Sequence, residues 1–137
     1  ANGARPPCFV IFPHMSHQIL LNNDTSLLPE PLNIKYCDTF FCQLRGFTFR
    51  SQIGEMEGLL LVQKKDSRVD SSIHMLFVFT PLAVFWINSD RVVVHKTLAL
   101  PWRLAYFSPE PARFVLELNP EQLKLFQVGD KVKFIDE

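Results

Sequence analysis

Two side chains in this sequence could carry out acid–base chemistry. His74 stands just before a long apolar run, and an imidazole exchanges protons near neutral pH. Glu117 lies in an apolar segment, and its carboxylate could orient that imidazole. The structural alternatives are a hydrogen-bonded core or edge histidine and a Glu117 that pairs with Arg50 or with backbone groups. No nucleophile motif or glycine-rich phosphate loop accompanies them, so the sequence assigns no catalytic residue beyond these two candidates.

A histidine pair near the N-terminus has the spacing of a partial metal site. His14 and His17 flank Met15, and imidazole and thioether groups bind zinc or copper. Two ligands without a third nearby do not complete such a site. We therefore interpret the pair as part of a polar turn and predict neither a metal nor another cofactor.

The three cysteines, Cys8, Cys37 and Cys42, form no Cys-x-x-Cys motif. An odd number leaves at least one thiol unpaired within the chain, and we interpret all three as free buried cysteines. A bridge between Cys37 and Cys42 requires Cα atoms within about 7 Å, which the sequence leaves open.

Length and charge narrow the classes of function. The 137 residues fit one domain, and the 14 basic residues balance the 14 acidic ones. Because no basic surface is expected, nucleic-acid binding is not predicted. The 13 phenylalanines favour a β-rich core or an adhesive surface. The longest apolar run is interrupted by Pro81 and is shorter than the ~20 residues of a spanning helix, so no transmembrane segment is predicted.

That apolar run, residues 75–87, predicts the centre of the fold. Pro81 divides it into two strands, and the alternate positions of each strand are apolar, so both faces should be covered. Asn88-Ser89-Asp90 predicts the turn of a hairpin across residues 82–98.

The other predicted elements are short. Strands are predicted at residues 8–12, 18–21, 32–36, 58–63, 112–118 and 131–135, and helices at residues 39–46 and 120–126. Residues 64–72 read as an exposed loop. These elements predict a single, mainly antiparallel β barrel or sandwich-like domain with two short helices, in which residues 32–36 pair with the C-terminal strands. We divide it into an N-terminal arm with short strands, 1–31, and the β domain, 32–137.

A series of landmarks resembles the uncharacterised family catalogued as domain of unknown function 192 (DUF 192). The landmarks, in order, are Asp38-Thr39, Gly46-Phe47-Thr48-Phe49-Arg50, Gly58-Leu59-Leu60-Leu61, Ser72-Ile73-His74-Met75, Pro81-Leu82, Val92-Val93, Pro101-Trp102-Arg103, Val115-Leu116-Glu117-Leu118 and Gly129-Asp130. The match covers about residues 32–135. The resemblance implies a small, mostly β domain, and the polar residues that it retains, as candidates for a ligand or polar site, are Arg50, His74, Glu117 and Asp130. Asp130 has a simpler alternative role in a hairpin turn.

The departures from the family pattern concern polar positions. Family members usually have polar residues where this chain has Leu76 and Phe77, and an aspartate where it has Ala83. A polar pocket would therefore be altered or filled. This difference favours a domain that packs against something else, and the alternative is an enlarged aromatic core.

Three functions remain open. The first is a non-catalytic interaction or accessory domain, a subunit of a larger assembly, with a protein partner and with Phe40, Trp102 and Phe107 as interface candidates. The second is a β barrel that binds a small or lipid-like molecule oriented by Arg50 or His74. The third is a small enzyme that uses His74 and Glu117. If Ala1 is a processed start, export or a membrane-peripheral location is expected, and otherwise the cytoplasm.

Overall fold

Seven β-strands and one 3-10 helix build the described part of the chain. The computed structural model describes residues 17–39, 42–43, 58–75, 78–103 and 105–135. The strands are β1 (His17–Asn23), β2 (Leu32–Cys37), β3 (Gly58–Ser67), β4 (Leu82–Ile87), β5 (Val93–Ala99), β6 (Ala112–Leu118) and β7 (Val132–Ile135), and the 3-10 helix is Pro120–Leu125. The mainly β fold predicted from the sequence is confirmed.

All seven strands belong to one curled sheet in the order β5-β4-β6-β3-β2-β1-β7. Every pair is antiparallel except β2–β3, which is parallel. A bridge between Val92 and Lys131 brings the start of β5 next to the start of β7. The sheet therefore curls back toward itself as a half-barrel.

The pairing predicted between residues 32–36 and the C-terminal strands is wrong. β2 lies between β1 and β3, and it is β1 that pairs with β7 while β3 pairs with β6. A parallel β2–β3 pair requires a long crossover, and residues 38–57 form that connection.

Apolar side chains pack on both faces of the sheet. The inner cluster consists of Ile19, Leu21, Leu32, Ile34, Leu60, Val62, Ala83, Phe85, Ile87, Val93, Phe114, Leu116, Leu118, Phe126 and Val132. The outer cluster consists of Cys37, Leu59, Leu61, Ile73, Met75, Val78, Leu82, Val84, Trp86, Ala99, Ala112 and Val115. β4 is buried at every position because it contributes to both clusters, as its continuous apolar sequence predicts.

The strand predicted before Pro81 is absent from the described residues. Met75 and Val78 are buried, but in the outer cluster, and neither is in a strand. The reason is that both edges of β4 are already paired, with β5 on one side and β6 on the other. Met75 and Val78 are therefore buried in a layer that covers the outer face of the sheet.

Cys37 and Cys42 form a disulfide, with Cα atoms 5.6 Å apart. The interpretation of these two cysteines as free thiols is therefore wrong. After β2 the chain turns back, with Thr39 Oγ1 accepting a hydrogen bond from the Cys42 amide, and this turn brings the two cysteines together. Within the helix predicted at 39–46, residues 42–43 are helical. The other residues of the predicted helix after Thr39 lie outside the described part of the chain. Cys8 and the strand predicted at 8–12 lie outside it as well.

Several local predictions are confirmed. Leu82 pairs with Ala99 in the β4–β5 hairpin, whose turn is held by Asn88 Oδ1, which accepts hydrogen bonds from the amides of Asp90 and Val92. β6 has the predicted bounds. The Asn119 side chain accepts a hydrogen bond from the Glu121 amide at the start of the 3-10 helix. β3, however, continues to Ser67, into the segment predicted to be a loop.

Candidate functional site

Glu117 is a buried carboxylic acid on the outer face of the sheet. Its register partners are Leu59 of β3 and Val84 of β4, which both belong to the outer cluster. Burial raises the pKa of Glu117 from 4.5 to about 7 because desolvation disfavours the carboxylate. A group with this pKa can take up or release a proton near neutral pH.

A covering layer lies over this face. It consists of residues 71–75 and of a second segment that includes residues 102, 103 and 106. Ile73 and Tyr106 exchange backbone hydrogen bonds of 3.1 and 2.8 Å, and the Met75 amide donates to the Arg103 carbonyl at 2.8 Å. The indole Nε1 of buried Trp86, on β4, donates to the Ser71 carbonyl at 2.8 Å. This bond anchors the first segment to the sheet, so Glu117 is on the same face of the sheet as an ordered layer.

His74 and Glu117 occupy different environments. His74 is exposed, whereas its neighbours Ile73 and Met75 are buried in the outer cluster. Since Glu117 is 5% exposed, the structure does not place the two candidate acid–base groups in a common solvent-accessible site.

Asp130 is hydrogen-bonded to β1 and to the turn before β7. Its Oδ2 accepts hydrogen bonds from Asn23 Nδ2 at 2.7 Å and from the Gln127 amide at 2.8 Å. The fully buried Asn23 also donates to the Leu125 carbonyl, and its Oδ1 accepts from the amides of Thr25 and Ser26. These bonds join β1 to the turn before β7, so Asp130 has a structural role in holding this turn in place.

Asn23 is a residue whose importance the sequence did not reveal. It belongs to a polar cluster, residues 22–26, that marks a turn, and nothing in that cluster indicates a contact with Asp130 more than a hundred positions away. Arg50 and Phe40, the other candidates, lie outside the described residues. No group of three or more His, Cys, Asp or Glu side chains within the described ranges could hold a metal ion.

Two of the interface candidates belong to a larger group of exposed apolar side chains. Trp102 is 49% exposed and Phe107 is 55% exposed. Trp102 contacts Phe79, with ring centroids 5.7 Å apart. We define the edge patch as Phe79, Leu100, Trp102 and Phe107, all of them at least 40% exposed.

The edge patch is formed where the open end of the β4–β5 hairpin meets the covering layer. Leu100 directly follows β5, which is the end strand of the sheet. The Leu100 amide donates to the Tyr106 hydroxyl at 2.8 Å, and the Trp102 amide donates to the Met75 carbonyl at 2.7 Å. These hydrogen bonds tie the backbone at Leu100 to Tyr106 and the backbone at Trp102 to Met75, so the side chains of Leu100 and Trp102 project from ordered backbone.

The family model DUF192, described as "Uncharacterized ACR, COG1430", matches residues 20–134. A UPF0127 protein from Pyrococcus abyssi is 26% identical over 119 residues, which cover 85% of this chain and 97% of the relative. One from Pyrococcus furiosus is 29% identical over 107 residues, covering 75% of this chain and 87% of the relative. One from Thermococcus gammatolerans is 34% identical over 85 residues, 62% of this chain, and the aligned part is only 54% of that relative, so the match spans about half of its length.

Two solved structures share the fold. A protein of unknown function from Novosphingobium aromaticivorans superposes with a TM-score of 0.73 at 21% identity, covering 86% of this chain and 84% of the other. A protein from Sinorhizobium meliloti, provisionally described as a transcription regulator, has the same TM-score and identity and covers 87% of this chain and 93% of the other. Within the described part of this chain, no helix is long and apolar enough to cross a membrane.

Proposed function

The chain belongs to the DUF192 family, whose description names no activity, and from its surface we propose that it is a non-catalytic interaction domain that binds another protein through the edge patch. The observation that carries this proposal is the exposure of two aromatic rings in mutual contact, Phe79 at 44% and Trp102 at 49%. Removing such rings from water is favourable, and Trp is enriched where interfaces hold most of their binding energy.

The packing of the sheet interior supports this function over the ligand-binding alternative. The inner cluster contains side chains from all seven strands, including Phe85 and Phe126, whose rings are in edge contact at 5.2 Å. A ligand bound inside the half-barrel would have to displace these side chains and would thereby disrupt a close-packed core. The enzyme alternative is supported less well because His74 is exposed and Glu117 is buried.

The experiment uses the tagged full chain as bait in an extract of its source organism, with bound proteins quantified by mass spectrometry. The variant Trp102→Glu, Phe107→Glu adds two charges to the edge patch at exposed positions, where the fold should tolerate them. We expect a defined polypeptide to be retained by the parent chain and reduced about tenfold or more with the variant, because burying an unpaired charge opposes association.

Leu27→Glu provides a matched control. Leu27 is 73% exposed, but it lies in the connection between β1 and β2 and is not part of the edge patch. The control should retain the same polypeptide as the parent. Equal retention by all three chains, or no specific polypeptide with any of them, would contradict the proposed function. A second copy of the chain as the retained species would identify self-association, which sedimentation at several concentrations measures directly.

A further inference from the structure

We propose that the Cys37–Cys42 disulfide is a thiol-exchange site that an external dithiol opens by attack at Cys42. This inference does not depend on the edge patch. It rests on the unequal burial of the two sulfur-bearing residues and on the hydrogen bonds around the turn that they close. The site joins the end of β2 to the first turn of the crossover between β2 and β3.

The two cysteines differ in their accessibility. Cys37 is fully buried in the outer cluster, whereas Cys42 packs against the margin of that cluster and is only partly buried. Thiol–disulfide exchange requires a thiolate to reach one sulfur in line with the bond that breaks, so access decides which sulfur is attacked. The difference in burial between the two residues favours attack at the Cys42 sulfur, with Cys37 as the leaving group.

The reaction balances as a two-electron reduction by a dithiol. One thiolate of the dithiol attacks Cys42 Sγ, the Sγ–Sγ bond breaks, and Cys37 leaves as a thiolate that takes up a proton. The second thiolate of the dithiol then attacks the sulfur that is bound to Cys42. Cys42 is released and protonated, and the dithiol becomes a disulfide. The protein gains two electrons and two protons, and the dithiol loses them.

Hydrogen bonds of Gln43 limit the consequence of opening to this turn. Gln43 Nε2 donates to the Cys37 carbonyl at 3.2 Å and to the Val62 carbonyl at 2.8 Å, and Gln43 Oε1 accepts from Gln63 Nε2 at 3.1 Å. These bonds remain when the disulfide is reduced, so the turn stays attached to β2 and β3 but loses its covalent closure. Reduction should therefore loosen the turn without unfolding the sheet.

The first measurement is peptide mapping of the full chain in a Cys8→Ser background. Trypsin releases residues 36–45 as one peptide that contains both cysteines. From the unreduced protein this peptide should be lighter than after reduction by the two hydrogens of the bond. After a brief exposure of the folded protein to glutathione, quenched with acid, fragmentation should place the mixed disulfide on Cys42. Two free thiols in the unreduced peptide, or a mixed disulfide on Cys37, would overturn the proposal.

A second measurement follows amide hydrogen exchange in the oxidised protein and in the protein reduced by dithiothreitol. The Cys42 and Gln43 amides should lose protection by about tenfold or more, since the covalent closure of a short loop has been removed, while amides of β4 and β6 keep theirs. If the bond is reduced only at denaturant concentrations that unfold the whole sheet, the cysteines form a structural bridge and the proposal is wrong.

Matched single variants separate the two thiols. In the same Cys8→Ser background, Cys37→Ser leaves Cys42 as the only thiol, and Cys42→Ser leaves Cys37. A chromogenic aromatic disulfide should react at least about tenfold faster with the folded Cys37→Ser protein than with the folded Cys42→Ser protein, because exchange rates follow access to the sulfur. Equal rates would contradict the assignment of Cys42 as the attacked sulfur, and the mapping of the parent chain remains decisive if either variant does not fold.

Discussion

Glu117 lowers the stability of the fold because its carboxylate is buried away from water. Its carboxyl group lies between Leu59 and Val84 of the outer cluster and is buried, so the ionised form loses hydration on folding. Between pH 4.5 and about 7, the folded protein therefore retains a proton that the unfolded chain releases. Groups with strongly shifted pKa values cluster at functional sites, where they are kept although they lower the stability of the fold.

Glu117 should make the stability of the protein fall as the pH rises. Its pKa is about 7 in the folded protein and 4.5 ordinarily, so between these values the folded state binds more protons than the unfolded state. The free energy of unfolding should decrease across this window by up to about 3 kcal/mol in total and then level off. Glu117→Gln, which is never ionised, should lack this decrease. Urea unfolding at pH 5 and pH 8 measures both proteins.

The decisive comparison for Glu117 is the difference between the two pH values. Glu117→Gln should be close to the parent in stability at pH 5 and more stable than the parent at pH 8. If the parent and the variant change in stability by the same amount between pH 5 and pH 8, any decrease comes from other groups and the raised pKa of Glu117 is contradicted.

At the scale of the elements, Gly58 explains how β2 and β6 approach each other across β3. A Cβ atom at position 58 would collide with Ile34 Cγ2 and would lie 2.8 Å from Leu118 Cδ2. Ile34 is on β2 and Leu118 is on β6, and both belong to the inner cluster. The missing side chain of Gly58 is therefore filled by its neighbours, and the glycine in the Gly-Leu-Leu-Leu landmark has a packing role.

Gly58→Ala should destabilise the protein by about 1–3 kcal/mol because the methyl group overfills a packed site. Thermal or urea unfolding measures the loss. Gly129→Ala is the matched control, since Gly129 has φ +99° and a methyl group added there would meet no other atom within 4 Å. Its cost therefore comes from backbone strain alone, about 1 kcal/mol.

Ile34→Ala separates the two mechanisms. Combined with Gly58→Ala it should be less harmful than the sum of the single changes, because the collision is relieved, whereas combined with Gly129→Ala it should be additive. Additivity in both combinations would show that Gly58 is not required for packing against Ile34.

The whole molecule has two apolar clusters that share the same strands. Leu60 of β3, Phe85 of β4 and Leu116 of β6 point into the inner cluster, while Leu61, Trp86 and Val115 follow or precede them on the outer side. Neither cluster can lose its packing without disturbing strands on which the other depends. The covering layer and the half-barrel should therefore unfold together.

This coupling can be measured with Trp86 as the only tryptophan. In Trp102→Phe, the fluorescence of Trp86 reports the outer cluster, in which it is fully buried, and far-ultraviolet circular dichroism reports the sheet. Because the two clusters share strands, the two urea transitions should have the same midpoint. In Trp86→Phe the remaining Trp102 is half exposed and should show a smaller change. Separate midpoints in Trp102→Phe would mean that the outer layer unfolds on its own.

Local chemistry in the sequence determined much of the element content. The alternation in β2, the continuous apolar sequence of β4, the strand-like segment of β6 and the Asn-Pro start of the 3-10 helix are short-range signals that tertiary contacts did not override. The family resemblance rested on the same ordered landmarks. At the candidate site, the sequence singled out Glu117, Trp102 and Phe107, but it did not indicate what surrounds them.

Only the tertiary structure decided where the apolar segments are placed and which distant residues meet. An apolar run records that a segment is buried, but not whether a sheet neighbour or a covering layer buries it, and for residues 75 and 78 the paired edges of β4 decided this. The hydrogen bond between Asn23 and Asp130, the Cys37–Cys42 disulfide and the raised pKa of Glu117 were likewise decided only by the tertiary structure. Each depends on the spatial environment that the chain creates by folding, which short-range spacing does not specify.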